Sequence, residues 1–182
     1  MQGTGTSEQG TGASAPGQPE PWLRGTHRDL DAVVRQVVHA LELTEEDVNH
    51  WCAALSDDDM NARPMGLTPL AYHLRHIPRS LDRLLTYAEG NQLDETQLAA
   101  LKTELDTGAT KADLMHEFEA GLSRARRRVR IFTPEQYNAE RGVGRKLLPT
   151  TVGGLLVHCA DHTQRHTGQV VTTAKVLLAI CG

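Results

Sequence analysis

Aromatic residues, cysteine pairs and long apolar runs are all scarce in this sequence. Phe, Trp and Tyr make up 4% of the 182 residues. Because aromatic and β-branched residues favour strands, their scarcity beside abundant Leu, Ala, Arg and Glu predicts a mainly helical chain. The length and the 39% content of hydrophobic residues suffice for one globular domain with a core and leave little for a second.

The cysteines and charges exclude several classes of protein. Cys52, Cys159 and Cys181 are odd in number and form no CxxC pair, which argues against a disulfide framework or a thiolate zinc site and predicts a reducing, cytoplasmic location. No apolar run approaches the length of a membrane span, and the N-terminus lacks the pattern of a signal peptide. A net charge of −4 gives no general attraction for nucleic acid or anionic membranes, so we expect neither as a partner. Cys159 is interpreted as a buried apolar residue rather than a nucleophile.

The chain divides into a tail and one domain. Residues 1–21 are mostly Gly, Thr, Ser, Gln, Ala and Pro, a composition that buries too little apolar surface to offset its ordering entropy. We predict that residues 1–21 form a disordered tail and that residues 22–182 form a single helical domain.

Apolar periodicity predicts four long helices. They run from about Thr26 to Ser56, from the Thr68 cap to just before Gly90, from Thr110 to near Thr133 and from about Thr150 to Ile180. The predicted fold is all-α, a four-helix bundle of the up-and-down type with a long crossing connection between the second and third helices. Residues 95–105 are predicted as a short outer helix in that connection, and residues 133–149 as a substantial loop.

Nine histidines are unusual in a chain of this size. His158, His162 and His166 recur every four residues in the last predicted helix, so their side chains stack along one edge. At about 100° per residue, His166 lies about 40°, His162 about 80° and His158 about 120° from the centre of the apolar stripe. The inward pair His162 and His166 therefore has the spacing of a bidentate clamp for a divalent metal ion.

A third ligand has to come from another helix, and the second predicted helix offers His73 and His76. Periodicity places His73 about 60° and His76 about 120° from the apolar stripe, which favours His73. Pro78 is expected to bend this helix within a turn of His76, so the angles leave the choice open.

Two segments carry a resemblance to a known family. The sequences AYHLRHIPRSLDRLLTYAEG and LLVHCADHTQRHTGQV resemble the second and fourth helices of the DinB-like superfamily of metal-binding proteins, named for damage-inducible bacterial proteins, and the resemblance extends over roughly residues 22–180. It implies that His76, His162 and His166 are the metal ligands. His73, His158 and Gln169 are then expected to support the ligands or line the pocket.

Three neutral imidazoles leave a metal ion with its full charge and with open coordination positions, as in catalytic sites. The resemblance implies mycothiol- and bacillithiol-dependent transferases and isomerases as relatives. We therefore expect a thiol-dependent S-transferase, or a metal-dependent hydrolase, that acts on a small electrophile with zinc or nickel and a low-molecular-weight thiol. The resemblance also implies a homodimer. The alternatives are a non-catalytic metal-binding protein concerned with stress response or dimerisation, and a structural bundle with incidental histidines.

The remaining charged features favour structural interpretations. Five arginines between Arg124 and Arg130 are typical of a solvated helix face that pairs with nearby carboxylates, although the run could instead attract an anionic substrate. His27, His39, His50 and His116 have no paired histidine on their predicted helices and are interpreted as surface or boundary residues.

Overall fold

The structure, a computed structural model, describes residues 18–181, with Cys181 described for its backbone alone. Residues 1–17, most of the predicted disordered tail, lie outside this range. Within it, the helices are α1 (Ala32–Cys52), α2 (Asp57–Asn61), α3 (Leu70–Ala88), α4 (Glu95–Lys102), α5 (Lys111–Val129) and α6 (Val152–Cys181). The strands are β1 (Glu140–Val143) and β2 (Leu148–Thr151), and short 3-10 turns occupy Pro21–Leu23, Pro64–Gly66 and Pro134–Gln136.

The first helix begins later than predicted. Asp31 caps α1, where its carboxylate accepts hydrogen bonds from the backbone N–H groups of Val33 and Val34 at 2.9 and 3.3 Å. The predicted start at Thr26 is wrong because His27 adopts a left-handed backbone conformation, with φ +54°, which a right-handed helix does not accommodate. At the other end, the predicted helix breaks after Cys52, and Ser56 caps the separate helix α2.

Helices α5 and α6 follow the sequence pattern closely, whereas α3 begins at Leu70 with Pro69 at its N-cap and without the predicted cap from Thr68. Thr110 caps α5 as predicted, with its hydroxyl accepting from the N–H of Asp113. All residues of the apolar faces predicted for the third and fourth long helices are buried. They are Leu114, Phe118, Leu122, Ala125, Val129, Phe132, Val152, Leu155, Leu156, Cys159, Thr163, Val170, Ala174 and Leu177. Helical periodicity was therefore sufficient to find the side of each helix that faces the core.

A small β-hairpin corrects the all-α prediction. Strands β1 and β2 pair antiparallel, with Glu140 opposite Thr151 and Val143 opposite Leu148, inside the segment predicted to be a loop. Gly142 and Pro149, which face each other in this register, are poor strand formers and hid the hairpin from the sequence pattern. The domain is therefore mainly helical with one two-stranded sheet.

The four long helices pack around one core. Helix α1 packs against α6 and α5, and α3 packs against α5 and α6. Helices α3 and α5 approach most closely where Gly121 meets Pro78, since a Cβ atom added at Gly121 would lie 2.2 Å from the Pro78 Cβ. Between residues 18 and 181, none of the helices is long and apolar enough to cross a membrane.

Candidate metal centre

Helices α3 and α6 bring three histidines together at their interface. His76 lies on α3, and His162 and His166 lie one turn apart on α6. One potential ligand nitrogen from each ring lies within 4.8 Å of the others. The ring centroids of His76 are 5.0 Å from those of His162 and 4.4 Å from those of His166. Residues 86 and 90 positions apart in sequence thus meet at one point.

The spacing of the nitrogens fits a divalent ion. The Nε2 atoms of His76 and His162 are 3.3 Å apart. A tetrahedral zinc ion with Zn–N bonds of about 2.0–2.1 Å would hold two ligand nitrogens about 3.4 Å apart. In the absence of such an ion, two acceptor nitrogens at this distance would repel each other unless one carried a proton, so the donor set suits a cation.

In each of the three rings, the Nδ1 atom contacts a neighbouring side chain. His76 Nδ1 lies 2.7 Å from Glu104 Oε2, and His162 Nδ1 lies 3.4 Å from Ser80 Oγ. His166 Nδ1 lies 3.0 Å from the Nδ1 of His73. When Nδ1 is engaged in this way, Nε2 is the nitrogen free to coordinate, which is the arrangement that fixes the tautomer and orientation of metal-binding histidines.

Glu104 is a part of the site that the sequence did not reveal. It lies between α4 and α5, is buried, and accepts hydrogen bonds from His76 and from Arg83 Nη1, the latter at 2.8 Å. Burial alone would raise the pKa of its carboxyl, but the hydrogen bonds from His76 and Arg83 outweigh burial and lower it. Because an ionised carboxylate can only accept, His76 must carry its proton on Nδ1. Sequence patterns gave no signal for Glu104, since it follows a short polar helix.

The electrostatic surroundings keep the other rings neutral at pH 7. Burial, followed by the proximity of other imidazoles, lowers the pKa of His73, His162 and His166 to about 4 each. Neutral imidazole is the form that binds metals. The cluster therefore presents lone pairs rather than protons to its centre.

The residues predicted to support the ligands occupy different positions. His73 is buried against His166, and the Gln169 side chain hydrogen-bonds to His166. His158 lies at the edge of the cluster, with its side chain 45% exposed and its Nδ1 3.6 Å from Asp161 Oδ2. The structure thus brings His73 and Gln169 to the predicted ligands and turns His158 towards solvent.

A cavity of about 330 Å³ adjoins the cluster. It is lined by Leu67, Thr68, His73, Arg165, Gly168, Gln169, Thr172 and Thr173. On another side, the Tyr72 ring stacks on His76 with their centroids 5.1 Å apart. The cavity borders His73, which contacts His166, so it lies beside the three clustered histidines although none of them lines it.

The arginine run and Cys159 serve the fold. Arg126 pairs with Glu45, and Arg128 with Asp82 and Glu89, so these charges are neutralised by neighbouring helices as the solvated-face interpretation predicts. Burial raises the pKa of the Cys159 thiol to about 12, which keeps it protonated and unreactive.

Comparisons with known proteins agree with this architecture. A family model described as the DinB superfamily matches residues 40–170. A crystal structure of a conserved protein from Enterococcus faecalis superposes with a TM-score of 0.68 at 17% identity, covering 82% of this chain and 99% of that one. At this identity the likeness shows a shared fold and nothing further. No curated protein matches the sequence.

Proposed function

The chain belongs to the DinB superfamily, and from this premise we propose that it binds one zinc or nickel ion through His76, His162 and His166 and transfers a small thiol to an electrophile. The observation that carries the proposal is the convergence of three imidazoles, one nitrogen of each lying within 4.8 Å of the others. We further propose that the four long helices act as a bundle that holds this centre rigid.

The donor set supports a catalytic rather than a sealed site. Three imidazoles contribute no negative charge, and structural zinc sites are usually closed by four protein ligands. A divalent ion bound here would supply Lewis-acid activation of a thiol or water at its open positions. The protein's own contribution is orientation, because Glu104, Ser80 and His73 hold the three rings through their Nδ1 atoms.

The adjoining cavity supports a small polar substrate. Thr68, Thr172 and Gln169 offer hydroxyl and amide groups along its walls, and Arg165 adds a positive charge at its margin. Arg165 is exposed and bonded to Asp161 at 2.8 Å, so its guanidinium is available to a ligand only in competition with that carboxylate. A thiol that carries polar groups would fill this space with its sulfur directed to the histidines.

The first experiment tests whether the protein binds metal and whether its activity requires a thiol. Protein purified without a polyhistidine tag is analysed for bound metal, loaded with Zn²⁺ or Ni²⁺, and assayed with a small thiol and a chromogenic electrophile. We expect turnover that requires both metal and thiol, and an increase in Tm when the thiol is added to the metal-loaded protein. The His162→Ala variant should lose both effects, whereas His116→Ala, at an exposed position on α5, should keep them.

Other outcomes separate the competing functions. Metal-dependent turnover without any thiol would favour the hydrolase. Bound metal with neither thiol-dependent turnover nor a thiol-dependent shift of Tm would contradict thiol transfer and favour a non-catalytic metal-binding protein. Absence of bound metal from tag-free protein, even after loading, would leave a structural helical domain.

We also propose that the chain forms a homodimer. Helix α6 exposes Val157, Leu178 and Ile180, apolar side chains of the kind that subunit interfaces bury. Light scattering coupled to size-exclusion chromatography tests this directly, and a monomer at micromolar concentration would contradict it.

A further inference from the structure

A second group of metal-ligating side chains lies between α1 and the segment that precedes it. One potential ligand atom from each of His27, His39 and Glu42 lies within 4.8 Å of the others. His27 Nε2 is 2.6 Å from Glu42 Oε1, and the rings of His27 and His39 have centroids 5.6 Å apart. The sequence pattern treated both histidines as isolated, because they are 12 positions apart and no histidine lies three or four positions from either.

The backbone builds this group from two local features. His39 and Glu42 are three residues apart on α1, so their side chains point from the same face of the helix. His27 reaches them from a turn in which its backbone adopts φ +54°, a conformation that is strained for a residue other than glycine. The strained turn places an imidazole over that face of α1.

The donor chemistry is that of a transition-metal site. Two imidazoles and one carboxylate are ligands that zinc, nickel and ferrous iron all accept. His39 is buried, with 5% of its surface exposed. The two imidazoles and the carboxylate would offer one ligand atom each to a cation.

The group is also accessible. A cavity of about 330 Å³ borders His39 and Thr26 and is lined further by Gln36 and Arg35. The Thr26 hydroxyl lies 3.2 Å from His39 Nε2, so rotation of this small side chain would free the nitrogen for coordination. The same cavity leaves room for water or a small ligand beside a bound ion.

Nearby arginines are expected to weaken metal binding by His27, His39 and Glu42. Arg130 Nη2 lies 3.3 Å from His27 Nδ1, and a guanidinium can only donate there. An ion on Nε2 would require Nδ1 to hold the proton, so Arg130 must swing away, which its exposed position permits. Arg24 is neutralised by Glu46 at 2.5 Å. Binding is therefore expected to be weaker than at the histidine cluster between α3 and α6.

We propose that His27, His39 and Glu42 form a second divalent-metal site, which takes a transition-metal ion such as Zn²⁺ through two imidazole nitrogens and one carboxylate oxygen. This site shares no residue with the centre formed by His76, His162 and His166. The proposal does not depend on catalysis at that centre.

The test counts zinc ions in the full-length, tag-free protein after it has been stripped with a chelator. Zn²⁺ is titrated against a chromophoric chelator, and native mass spectrometry gives the number of ions per chain. We expect two ions, the second bound at least tenfold more weakly. Glu42→Gln keeps a hydrogen-bond acceptor for His27 but removes the charge, so it should lose the second ion and retain the first. His39→Gln should behave in the same way.

Two further variants separate this site from the first one and from adventitious binding. His162→Ala should lose the tight ion and retain the weak one, and His50→Gln, on the same helix but outside the group, should retain both. Circular dichroism and the retained ion verify folding in each case. One ion or none per wild-type chain would overturn the proposal, and so would a second ion that persists in both Glu42→Gln and His39→Gln.

Discussion

The two sides of α3 meet their neighbouring helices by different chemistry. Towards α5, Pro78 packs on Gly121, and Arg79 and Asp82 form ion pairs with Glu117 and Arg128. Both of these α3 charges have their partners within the protein. Towards α6, His73, His76 and Ser80 contact His162 and His166, so imidazole nitrogens rather than ion pairs meet at this interface.

The difference identifies the interface that a bound cation would stabilise. The α3–α5 interface is complete in itself, so its stability follows from packing volume and internal ion pairs. The α3–α6 interface gathers three imidazoles whose nitrogens could bind a cation, so a bound cation would stabilise it. Substitutions on the α5 side should therefore change the free energy of unfolding, and substitutions on the α6 side should change the affinity for zinc.

The largest effect is expected from His162→Ala. Loss of one of three ligands should weaken zinc binding at this centre by more than the roughly 10–100-fold that loss of a supporting partner costs. The free energy of unfolding of the metal-free protein should change less, because the ring is only partly buried. Competition with a chromophoric chelator measures the affinity, and unchanged binding would mean that the metal lies elsewhere.

On the opposite side of α3, Gly121→Ala should act on stability alone. The added Cβ would lie 2.2 Å from that of Pro78, an overpacking that costs about 1–3 kcal/mol of the free energy of unfolding. The same substitution at Gly168, on α6 with nothing within 4 Å of the new atom, is the matched control and should stabilise the helix by up to about 1 kcal/mol. Urea denaturation distinguishes the two, and equal effects would show that α3 and α5 can separate without cost.

Replacement of Glu104 tests whether the α6 side needs its support. Glu104→Ala leaves His76 Nδ1 without its acceptor and should weaken zinc binding about 10–100-fold. Glu104→Gln should recover part of the affinity, since the amide oxygen can still accept from Nδ1. If both variants bound zinc like the unchanged protein, Glu104 would contribute to packing only.

The smallest expected effect is the pH dependence that the histidines at the α3–α6 interface contribute. Burial and neighbouring imidazoles hold the pKa of His73, His162 and His166 at about 4 in the folded chain, against about 6.5 when unfolded. The unfolded chain therefore binds more protons between these values, so the stability of the metal-free protein should fall as the pH drops from about 6.5 towards 4. After allowance for solvent screening we expect about 1–2 kcal/mol.

Denaturation of the metal-free protein at pH 7 and pH 5 measures this dependence. The His162→Ala, His166→Ala double variant should show a shallower slope, because two of the three depressed groups are gone. An unchanged slope would assign the effect to other residues.

Much of this architecture was predictable because it is local. The apolar faces of α5 and α6 repeat with the helical period, and Thr110 caps α5 through contacts within four residues. The inward position of His162 and His166 follows from the same periodicity. The late start of α1 was not predicted, because it depends on the left-handed conformation of one residue. The hairpin was not predicted either, because glycine and proline are uncommon in strands.

The sequence by itself determined the four long helices and the clamp-like spacing on α6, because both are set by contacts between residues a few positions apart. Only the tertiary structure grouped His76 rather than His73 with His162 and His166, brought Glu104 to His76, and joined His27 to His39 and Glu42. Those pairings depend on the rotation and approach of separate segments. The relative placement of these segments is fixed by packing over the whole core, which cannot be read from any short stretch of sequence.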